Sequence, residues 1–155
     1  MARIEHFNDP QAPKANSIVV AATVFVLNEG RLLLIRRTDN GLWALPGGAQ
    51  DFGEFIAEAA VRETIEETGV TVEVTDVVGI YTNPAHVVEY SDGEVRQQFS
   101  ICFRAEYISG EPTTSDESSE VRWVRQEELD TLDIHPSMRL RIDHGFEHRA
   151  KPYIG

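Results

Sequence analysis

Cysteine is nearly missing from this chain, and long apolar runs are missing as well. A single cysteine, Cys102, among 155 residues excludes a framework of internal disulfides and a zinc site made only of cysteines. Cys102 lies in the apolar run 99–103, where a free thiol is usually a buried structural residue. No stretch approaches the roughly 18 apolar residues that cross a bilayer, and no signal peptide is visible. We therefore expect a cytoplasmic protein.

Basic residues are also few. The chain has 14 Lys and Arg against 26 Asp and Glu, which gives a formal net charge of −12. An acidic surplus of this size argues against duplex nucleic acid and against an anionic membrane as the main partner. The surplus is uneven, because residues 48–70 contain six acidic residues and one basic residue, Arg62. The excess of acidic residues in 48–70 therefore needs a chemical explanation.

The length fits a single domain over residues 1–155. Residues 1–16 contain two prolines and no periodicity, so we expect an irregular lead-in. Elsewhere, runs rich in β-branched residues predict strands, and the run 54–68, which has no Gly or Pro and is dominated by Ala and Glu, predicts the central helix. The predicted strands are 17–27, 31–38, 70–81, 87–90, 95–107 and 121–124, and the predicted helices are 54–68, 127–132 and 138–147, the last within a C-terminal helix and tail over 137–155. A turn at 28–30 pairs the first two strands as a hairpin, and the mixed order indicates one α/β or α+β domain.

Three glutamates stand out on the predicted helix 54–68. Glu63, Glu66 and Glu67 are spaced i, i+3, i+4, so their carboxylates are direct neighbours that repel one another. The last two also lie in the final turn, where the helix dipole disfavours anions. These costs have a purpose if a divalent cation binds between the carboxylates, and oxygen ligands suit Mg²⁺ or Mn²⁺. The alternative is a solvated acidic helix face without a ligand.

The opposite side of this predicted helix has the character of a packing surface. A helical wheel at about 100° per residue places a set of apolar and threonine side chains on one side. The members of this predicted stripe are Ala57, Val61, Thr64, Ile65 and Thr68. Ala59 and Ala60 fall on the carboxylate side, one turn earlier, where small side chains would leave room above the glutamates.

Residues 48–70 also form a recognisable pattern. Gly48 is followed by five residues and Glu54, then by seven residues and an Arg-Glu pair. The complete set of matching positions is Gly48, Glu54, Arg62, Glu63, Glu66, Glu67, Gly69 and Val70. This pattern resembles the Nudix box, and the preceding Trp-Ala-Leu-Pro-Gly-Gly resembles the usual lead-in of that family. One position departs from the family pattern, because Thr64 stands where a larger aliphatic residue is preferred. Thr64 lies on the predicted packing stripe, so this departure affects core packing rather than chemistry.

The resemblance implies a fold and a reaction. Nudix domains are α/β/α sandwiches with a mixed β-sheet, and the box forms a loop-helix-loop motif. Family members hydrolyse the pyrophosphate bond of a nucleoside diphosphate linked to another group, X. Water attacks a phosphorus atom with the assistance of Mg²⁺ or Mn²⁺. The expected partner is therefore a small nucleotide, and homodimers are common enough in the family to leave a homodimer open.

Roles for individual box residues also follow from the resemblance. Glu63, Glu66 and Glu67 correspond to metal ligands, and in the family the carbonyl of the residue at Gly47 often supplies another. Arg62 corresponds to the arginine that holds a box glutamate in place rather than touching the substrate. We therefore expect these five residues to form the catalytic and metal-binding centre.

Residues outside the central helix are candidates for substrate contacts. Glu54 corresponds to a box glutamate that supports the metal site, and Arg36 and Arg37 end the strand that precedes the box. Adjacent strand residues point to opposite faces, so only one of the two arginines is expected to face the site. The other arginine is then a surface charge.

The general base remains open among three glutamates. Many family members place it in a loop that follows the box, where this chain has Glu117 and Glu120. Glu120 directly precedes the predicted strand 121–124, so its position is the better fixed of the two and it is our first candidate. Glu63 is the third candidate, acting through a metal-bound water.

The substrate and one rival function also remain open. Pro84 follows Val70 by 14 residues, a spacing found in ADP-ribose hydrolases of the family, but an Asn-Pro turn is the favoured explanation of this proline. Nucleoside triphosphates, including oxidised ones, are an equal alternative to ADP-ribose. The rival function is a catalytically silent Nudix domain that binds a nucleotide as a sensor. Such domains usually lose box glutamates, and this box keeps them.

Overall fold

The computed structural model describes residues 3–155, which form a mixed β-sheet with a helix on each face. The strands are β1 (Arg3–Phe7), β2 (Ser17–Asn28), β3 (Arg31–Arg37), β4 (Trp43–Ala44), β5 (Gly47–Ala49), β6 (Thr71–Tyr81), β7 (His86–Tyr90), β8 (Val95–Ser109), β9 (Ser118–Val124) and β10 (Tyr153–Ile154). The helices are α1 (Ile56–Thr68) and α2 (Pro136–Glu147), with a 3₁₀-helix at Gln126–Thr131 in place of the predicted helix 127–132.

The sheet combines parallel and antiparallel pairs. Its order is β1-β7-β8-β2-β3-β4, with β6 also paired to β8 and β9 to β3. Strands β2 and β8 run parallel along eleven residue pairs, whereas β8 pairs antiparallel with both β6 and β7. The predicted fold class, an α/β/α sandwich with a mixed sheet, is therefore confirmed.

The predicted hairpin of β2 and β3 exists only beside its turn. The two strands pair at Leu27–Leu32 and Asn28–Arg31, and beyond these positions they separate. Strand β2 continues beside β8 on one side and β5 on the other, while β3 pairs with β9. This separation leaves room for β4 and β5, which pair with β3 and β2 respectively and lead into the predicted helix.

Strand β2 shows why one sheet can support two helices. Its alternate side chains point to opposite faces, and both faces are apolar. Val24 and Val26 pack with Ala60 of α1, whereas Phe25 packs with Ile142 of α2. The strand therefore reads as a nearly continuous apolar run, as expected for a central strand that is covered on both sides.

Strand β1 corrects the prediction of an irregular lead-in over residues 1–16, of which residues 1 and 2 lie outside the described part. The strand pairs antiparallel with β7, from Arg3–Tyr90 to Phe7–His86. Its sequence, Arg-Ile-Glu-His-Phe, lacks a strong apolar alternation, so no local signal marks it. The backbone of β7 supplies its hydrogen-bond partners from 79 to 87 positions away, and this long-range pairing was invisible in the sequence.

Helix α1 is rotated relative to the predicted packing stripe. The stripe is correct for Thr64 and Thr68, which are fully buried, but wrong for Ile65, which is 44% exposed. Ala59 and Ala60, predicted to leave open space above the carboxylates, are themselves completely buried. Small side chains at these positions let α1 pack closely against the sheet.

The departure at Thr64 from the family pattern has a simple resolution. The Thr64 hydroxyl donates a hydrogen bond to the carbonyl of Ala60 at 2.8 Å, one turn earlier in α1. Thr68 repeats the arrangement with the carbonyl of Thr64 at 2.6 Å. Both hydroxyls are therefore satisfied in a buried position, so a threonine fits where an aliphatic residue is preferred.

The C-terminal helix α2 begins at Pro136, earlier than the predicted start at residue 138. His135 is its N-cap, and the Nδ1 of His135 accepts a hydrogen bond from the Ser137 amide at 3.2 Å. The predicted tail contains β10, which pairs in parallel with β6. Across the part of the chain that the structure describes, none of the helices is long and apolar enough to cross a membrane.

Candidate active site

Two glycines set the distance between the loop and α1. Strand β5 pairs with β2 so closely that a Cβ on Gly47 would overlap the carbonyl group of Ala22. A Cβ on Gly48 would lie 2.5 Å from the carboxyl carbon of Glu63. Both positions therefore require glycine, because any larger residue would push β5 away from β2 or Glu63 out of place.

Glu63 and Glu67 of α1 meet Glu117, which lies in the loop before β9. Each of these three residues offers a carboxylate oxygen within 4.8 Å of the others. Glu67 is 3% exposed, and its Oε1 accepts a hydrogen bond from the Gly47 amide at 3.0 Å. Three acidic groups are thus gathered at one point, although two of them belong to a helix and the third to a distant loop.

The raised pKa values of Glu67 and Glu63 show that burying neighbouring ionised carboxylates is unfavourable. Burial raises the pKa of Glu67 to about 8, and the charges of Glu63 and Glu117 act in the same direction, against the hydrogen bond from Gly47. Burial also raises the pKa of Glu63, despite the hydrogen bond that it accepts from Arg62. Ionised carboxylates in such a place need a positive partner. Their oxygen-only donor set fits a hard divalent cation such as Mg²⁺.

Arg62 organises the same cluster from the side. Its guanidinium donates two hydrogen bonds to Glu54, at 2.7 and 3.0 Å, and one to Glu63 at 3.0 Å. It also donates to the carbonyl of Ala49 at 3.1 Å, so it ties α1 to β5. The hydrogen bonds from Arg62 lower the pKa of Glu54. The hydrogen bonds from Arg62 to Glu54 and to Glu63 thus fix the orientation of the Glu63 carboxylate.

Glu66 lies at the margin of the site. Its side chain is 58% exposed and contacts Arg62 Nη1 at 3.2 Å, and it is not one of the three clustered carboxylates. The helical spacing made Glu66 a neighbour of Glu63 and Glu67, but the rotation of α1 turns it toward solvent.

The structure separates the two arginines and the two loop glutamates. Arg37 lines the cavity beside the three carboxylates and pairs with Asp39 at 2.6 Å. Arg36 points away and forms an ion pair with Glu120 at 3.0 Å, with both side chains about half exposed. The pairing of β3 with β9 shifts register between Arg36 and Arg37. Glu120 therefore lies beside Arg36, while Glu117 reaches the site.

The three carboxylates stand at one part of a cavity of about 500 Å³. The cavity extends over the α2-facing side of β2 and β8 to β7 and β1, and it is lined mostly by polar side chains. At the part remote from α1 its lining includes Arg3, Glu5, His86, Gln98, Ser100 and Arg141. Sequence reasoning missed these residues. A partial signal existed in β8, where the polar residues Arg96, Gln98 and Ser100 have the period of two that places side chains on one face of a strand.

Glu5 holds a second cluster at the remote part of the cavity. Its Oε1 accepts a hydrogen bond from His86 Nε2 at 2.6 Å and lies 3.9 Å from His135 Nε2. Burial alone would raise the pKa of Glu5, but the hydrogen bond from His86 and the charges of His135 and Arg3 lower it to about 2. Glu5 is therefore ionised wherever the protein is folded near neutral pH.

Replacing Glu5 with Gln is expected to cost stability on the order of 3 kcal/mol at pH 7, because the drop in pKa from 4.5 to about 2 is worth roughly 1.4 kcal/mol per unit. A depressed pKa contributes stability that is fully present above pH 4.5. This contribution is lost as the pH falls toward 2. Urea unfolding at a series of pH values checks this, and a difference between wild type and E5Q that stays constant from pH 7 to pH 2.5 would contradict it.

Comparison with known proteins identifies the family. Residues 18–144 match the NUDIX domain. A MutT-like protein of Streptomyces ambofaciens is 36% identical over 127 residues, which cover 80% of this chain and 75% of that protein. An ADP-ribose pyrophosphatase of Methanocaldococcus jannaschii is 32% identical over 133 residues, which cover 81% and 68%. A solved structure of a NUDIX hydrolase from Nitrosomonas europaea has a TM-score of 0.74 at 24% identity, covering 90% of this chain and 80% of that one.

The family match and these relatives define an enzyme of the Nudix hydrolase class. The chain belongs to the Nudix family, which confirms the resemblance found in residues 48–70.

Proposed function

We propose that this Nudix hydrolase cleaves the pyrophosphate bond of a small nucleotide, a nucleoside diphosphate linked to X, with Mg²⁺ or Mn²⁺ as the cofactor. The observation that carries the proposal is the convergence of Glu63, Glu67 and Glu117 in a cavity large enough for a nucleotide. The relative from Methanocaldococcus jannaschii, an ADP-ribose pyrophosphatase, supports a small nucleotide as the substrate.

Glu63 and Glu67 are the proposed holders of the cation. Both are fixed by hydrogen bonds, from Arg62 to Glu63 and from Gly47 to Glu67, so their oxygens are positioned before any ligand arrives. When bound, a divalent cation would neutralise charge on the pyrophosphate and lower the pKa of coordinated water. Glu66 has a smaller role in this proposal, because it faces solvent and contacts Arg62.

Glu117 is the proposed acceptor of the proton from the attacking water. It is exposed in a loop and faces the two helical glutamates across the cavity, so it can reach a water molecule between them. Glu120, the first candidate from sequence, is paired with Arg36 instead. Arg37 lines the same cavity and is the arginine whose charge would face the phosphates.

The test is chromatographic detection of the two products, a nucleoside monophosphate and phospho-X (pyrophosphate when the substrate is a triphosphate), across a panel of ADP-ribose, dinucleoside polyphosphates, nucleotide sugars and nucleoside triphosphates. With Mg²⁺ we expect turnover of at least one member, loss of that turnover when EDTA is added, and recovery when excess Mg²⁺ is restored. Metal dependence is expected because the negatively charged carboxylates would repel a pyrophosphate unless a cation lies between them.

The alternative is a nucleotide-binding sensor without catalysis. It would be supported by tight nucleotide binding in calorimetry together with no turnover of any panel member. That combined outcome would overturn the proposed hydrolysis, because the same protein sample would then have a competent cavity and no reaction.

A further inference from the structure

Arg141 of α2 is a buried cation without an acidic partner. The residue is 5% exposed, and its Nε has no hydrogen-bond partner within residues 3–155. Its polar and ring contacts are weak, because Nη1 lies 4.0 Å from the Met138 sulfur and the guanidinium stands 5.1 Å from the centre of the Tyr81 ring. Burial lowers the pKa of Arg141, so the charge is unfavourable where it lies. A negative charge beside it would offset that cost.

Two further buried donors, the Nε of Arg3 and the hydroxyl of Ser100, also have no partner in the described part of the chain. The Arg3 Nε lies 3.6 Å from Asp39 Oδ2, which is beyond hydrogen-bond length. Arg3, Ser100 and Arg141 all line the remote part of the cavity. A guanidinium Nε can only donate, and a hydroxyl can donate as well. Because buried polar groups normally have partners, these donors on β1, β8 and α2 indicate a ligand with acceptor atoms.

The charge of this remote part favours an anionic ligand. Three guanidinium groups line it, those of Arg3, Arg96 and Arg141. Among the described residues, the only carboxylate lining it is that of Glu5, whose oxygens are already bonded, Oε1 to His86 at 2.6 Å and Oε2 to Arg3 at 3.3 Å. Glu94, the partner of Arg96 at 2.9 Å, does not line the cavity. Excess positive charge with open donors suits the oxygens of a phosphate or a carboxylate.

The register of the sheet separates these donors from the carboxylate cluster. Ala21 of β2 pairs with Ala49 of β5 on one side and with Ser100 of β8 on the other. Because neighbouring strands are about 4.8 Å apart, Ser100 lies about 10 Å from β5 across the sheet. Arg141 lies on the same face as Ser100, since its guanidinium covers the ring of Tyr81, the strand partner of Ser100. One ligand therefore reaches both places only if an organic group separates its pyrophosphate from a second anion.

We propose that Arg3, Ser100 and Arg141 form an oxyanion subsite that binds a phosphate or carboxylate at the far end of the X group of the substrate. The inference rests on the proposed function in placing the pyrophosphate at Glu63 and Glu67. A nucleoside has no anionic group besides its phosphates, so the second anion belongs to X. The preferred substrates are then nucleoside diphosphates linked to an acidic group, such as a sugar acid or a sugar phosphate, rather than to a neutral one.

The first test measures calorimetric binding to protein freed of divalent cations, in a buffer without phosphate or carboxylates. The probes are ribose 5-phosphate against ribose, and glucuronate against glucose. We expect at least one anion to bind at millimolar concentration and neither neutral sugar to bind. Arg141→Gln should weaken that anion roughly 10- to 100-fold, the range for hydrogen bonds to a charged group, and Ser100→Ala should weaken it less. The anion that binds identifies the chemistry of the subsite.

Arg139→Gln is the matched control, since it removes the same charge from the same helix. Arg139 pairs with Asp130 and Asp143 outside the cavity, so this variant should bind the anion as the wild type does. Equal weakening by Arg139→Gln and Arg141→Gln would overturn the proposal, and so would the absence of binding of both anions at millimolar concentration.

The second test measures turnover and separates the subsite from the proposed hydrolysis. With a nucleoside that supports turnover and with Mg²⁺, the diphosphates linked to glucose, glucuronate and glucose 6-phosphate are compared. We expect kcat/KM to be roughly tenfold higher for at least one anionic X, and Arg141→Gln to remove this advantage through KM. Equal kcat/KM for all three would overturn the proposal. Anion binding that depends on Arg141, without turnover of any nucleotide, would refute the hydrolysis and support the subsite.

Discussion

Replacing Glu67 with Gln is expected to lower kcat by about 10³-fold, because a metal-ion site supplies several kcal/mol of transition-state stabilisation and about 4 kcal/mol corresponds to that factor. The change is nearly isosteric. The glutamine oxygen can still accept the hydrogen bond from Gly47, so the loop and helix should keep their positions. What is lost is the buried negative charge that attracts the cation.

Two further measurements make this result specific. Calorimetric titration with Mg²⁺ or Mn²⁺ should show weaker metal binding for E67Q, while the thermal midpoint without metal should stay the same or rise, because burial of the charge at Glu67 is unfavourable. Glu73→Gln removes an equal charge from an exposed position of β6 and should leave both values unchanged. Full activity of E67Q with the metal affinity of the wild type would show that the cation binds elsewhere.

Glu66→Gln provides a graded comparison within the same helix. Its side chain is mostly exposed and contacts Arg62, so the expected loss is much smaller than for Glu67. Equal losses at the two positions would mean that the helix turns further toward the substrate during the reaction than this arrangement of α1 suggests.

Replacing Glu117 with Gln is expected to lower kcat by about 10²- to 10³-fold, the range typical for removal of a general base. Replacing Glu120 with Gln should change kcat by less than about threefold, because Glu120 only forms an exposed ion pair with Arg36. Such exposed pairs contribute little stability. The two residues differ by three positions and carry the same charge, so the comparison separates position in the structure from charge in the sequence.

The readout for these variants should include metal affinity and the pH profile of kcat. If Glu117 accepts the proton, E117Q loses the acidic limb of the profile and keeps the metal affinity of the wild type. A larger effect for E120Q than for E117Q would contradict this assignment and restore the candidate that sequence reasoning favoured.

The carboxylate cluster and the remote part of the cavity contribute opposite charges to the net charge of −12. The acidic residues of 48–70 have a chemical reason in the gathering of Glu63 and Glu67, with Arg62 as the single basic residue among them. The remote part of the cavity is instead rich in arginine, including Arg3, Arg96 and Arg141. Net charge therefore indicates little about the ligand, because it averages over regions of opposite character.

Much of the fold was predictable because its signals are local. The apolar β-branched run of β2, the turn at 28–30 and the Gly-free, Pro-free run that became α1 each depend on residues that are close in the chain. The predicted start of α1 differed by two residues, which is the usual uncertainty of a helix end. Strand β1 was missed because its only support is the backbone of β7.

The candidate active site also combines features that the sequence predicted with features that it did not. The sequence by itself identified the family through the pattern of residues 48–70, and that resemblance implied the role of Arg62. It also placed Glu63, Glu66 and Glu67 as neighbours, because a spacing of three and four residues fixes neighbours on a helix. Only the tertiary structure decided the rotation of α1 that buries Glu67 and exposes Glu66. It also decided the strand register that selects Glu117 over Glu120 as the cavity's loop carboxylate, and the approach of α2 that leaves Arg141 without an acidic partner. These outcomes depend on contacts between distant segments, whose geometry no local pattern encodes.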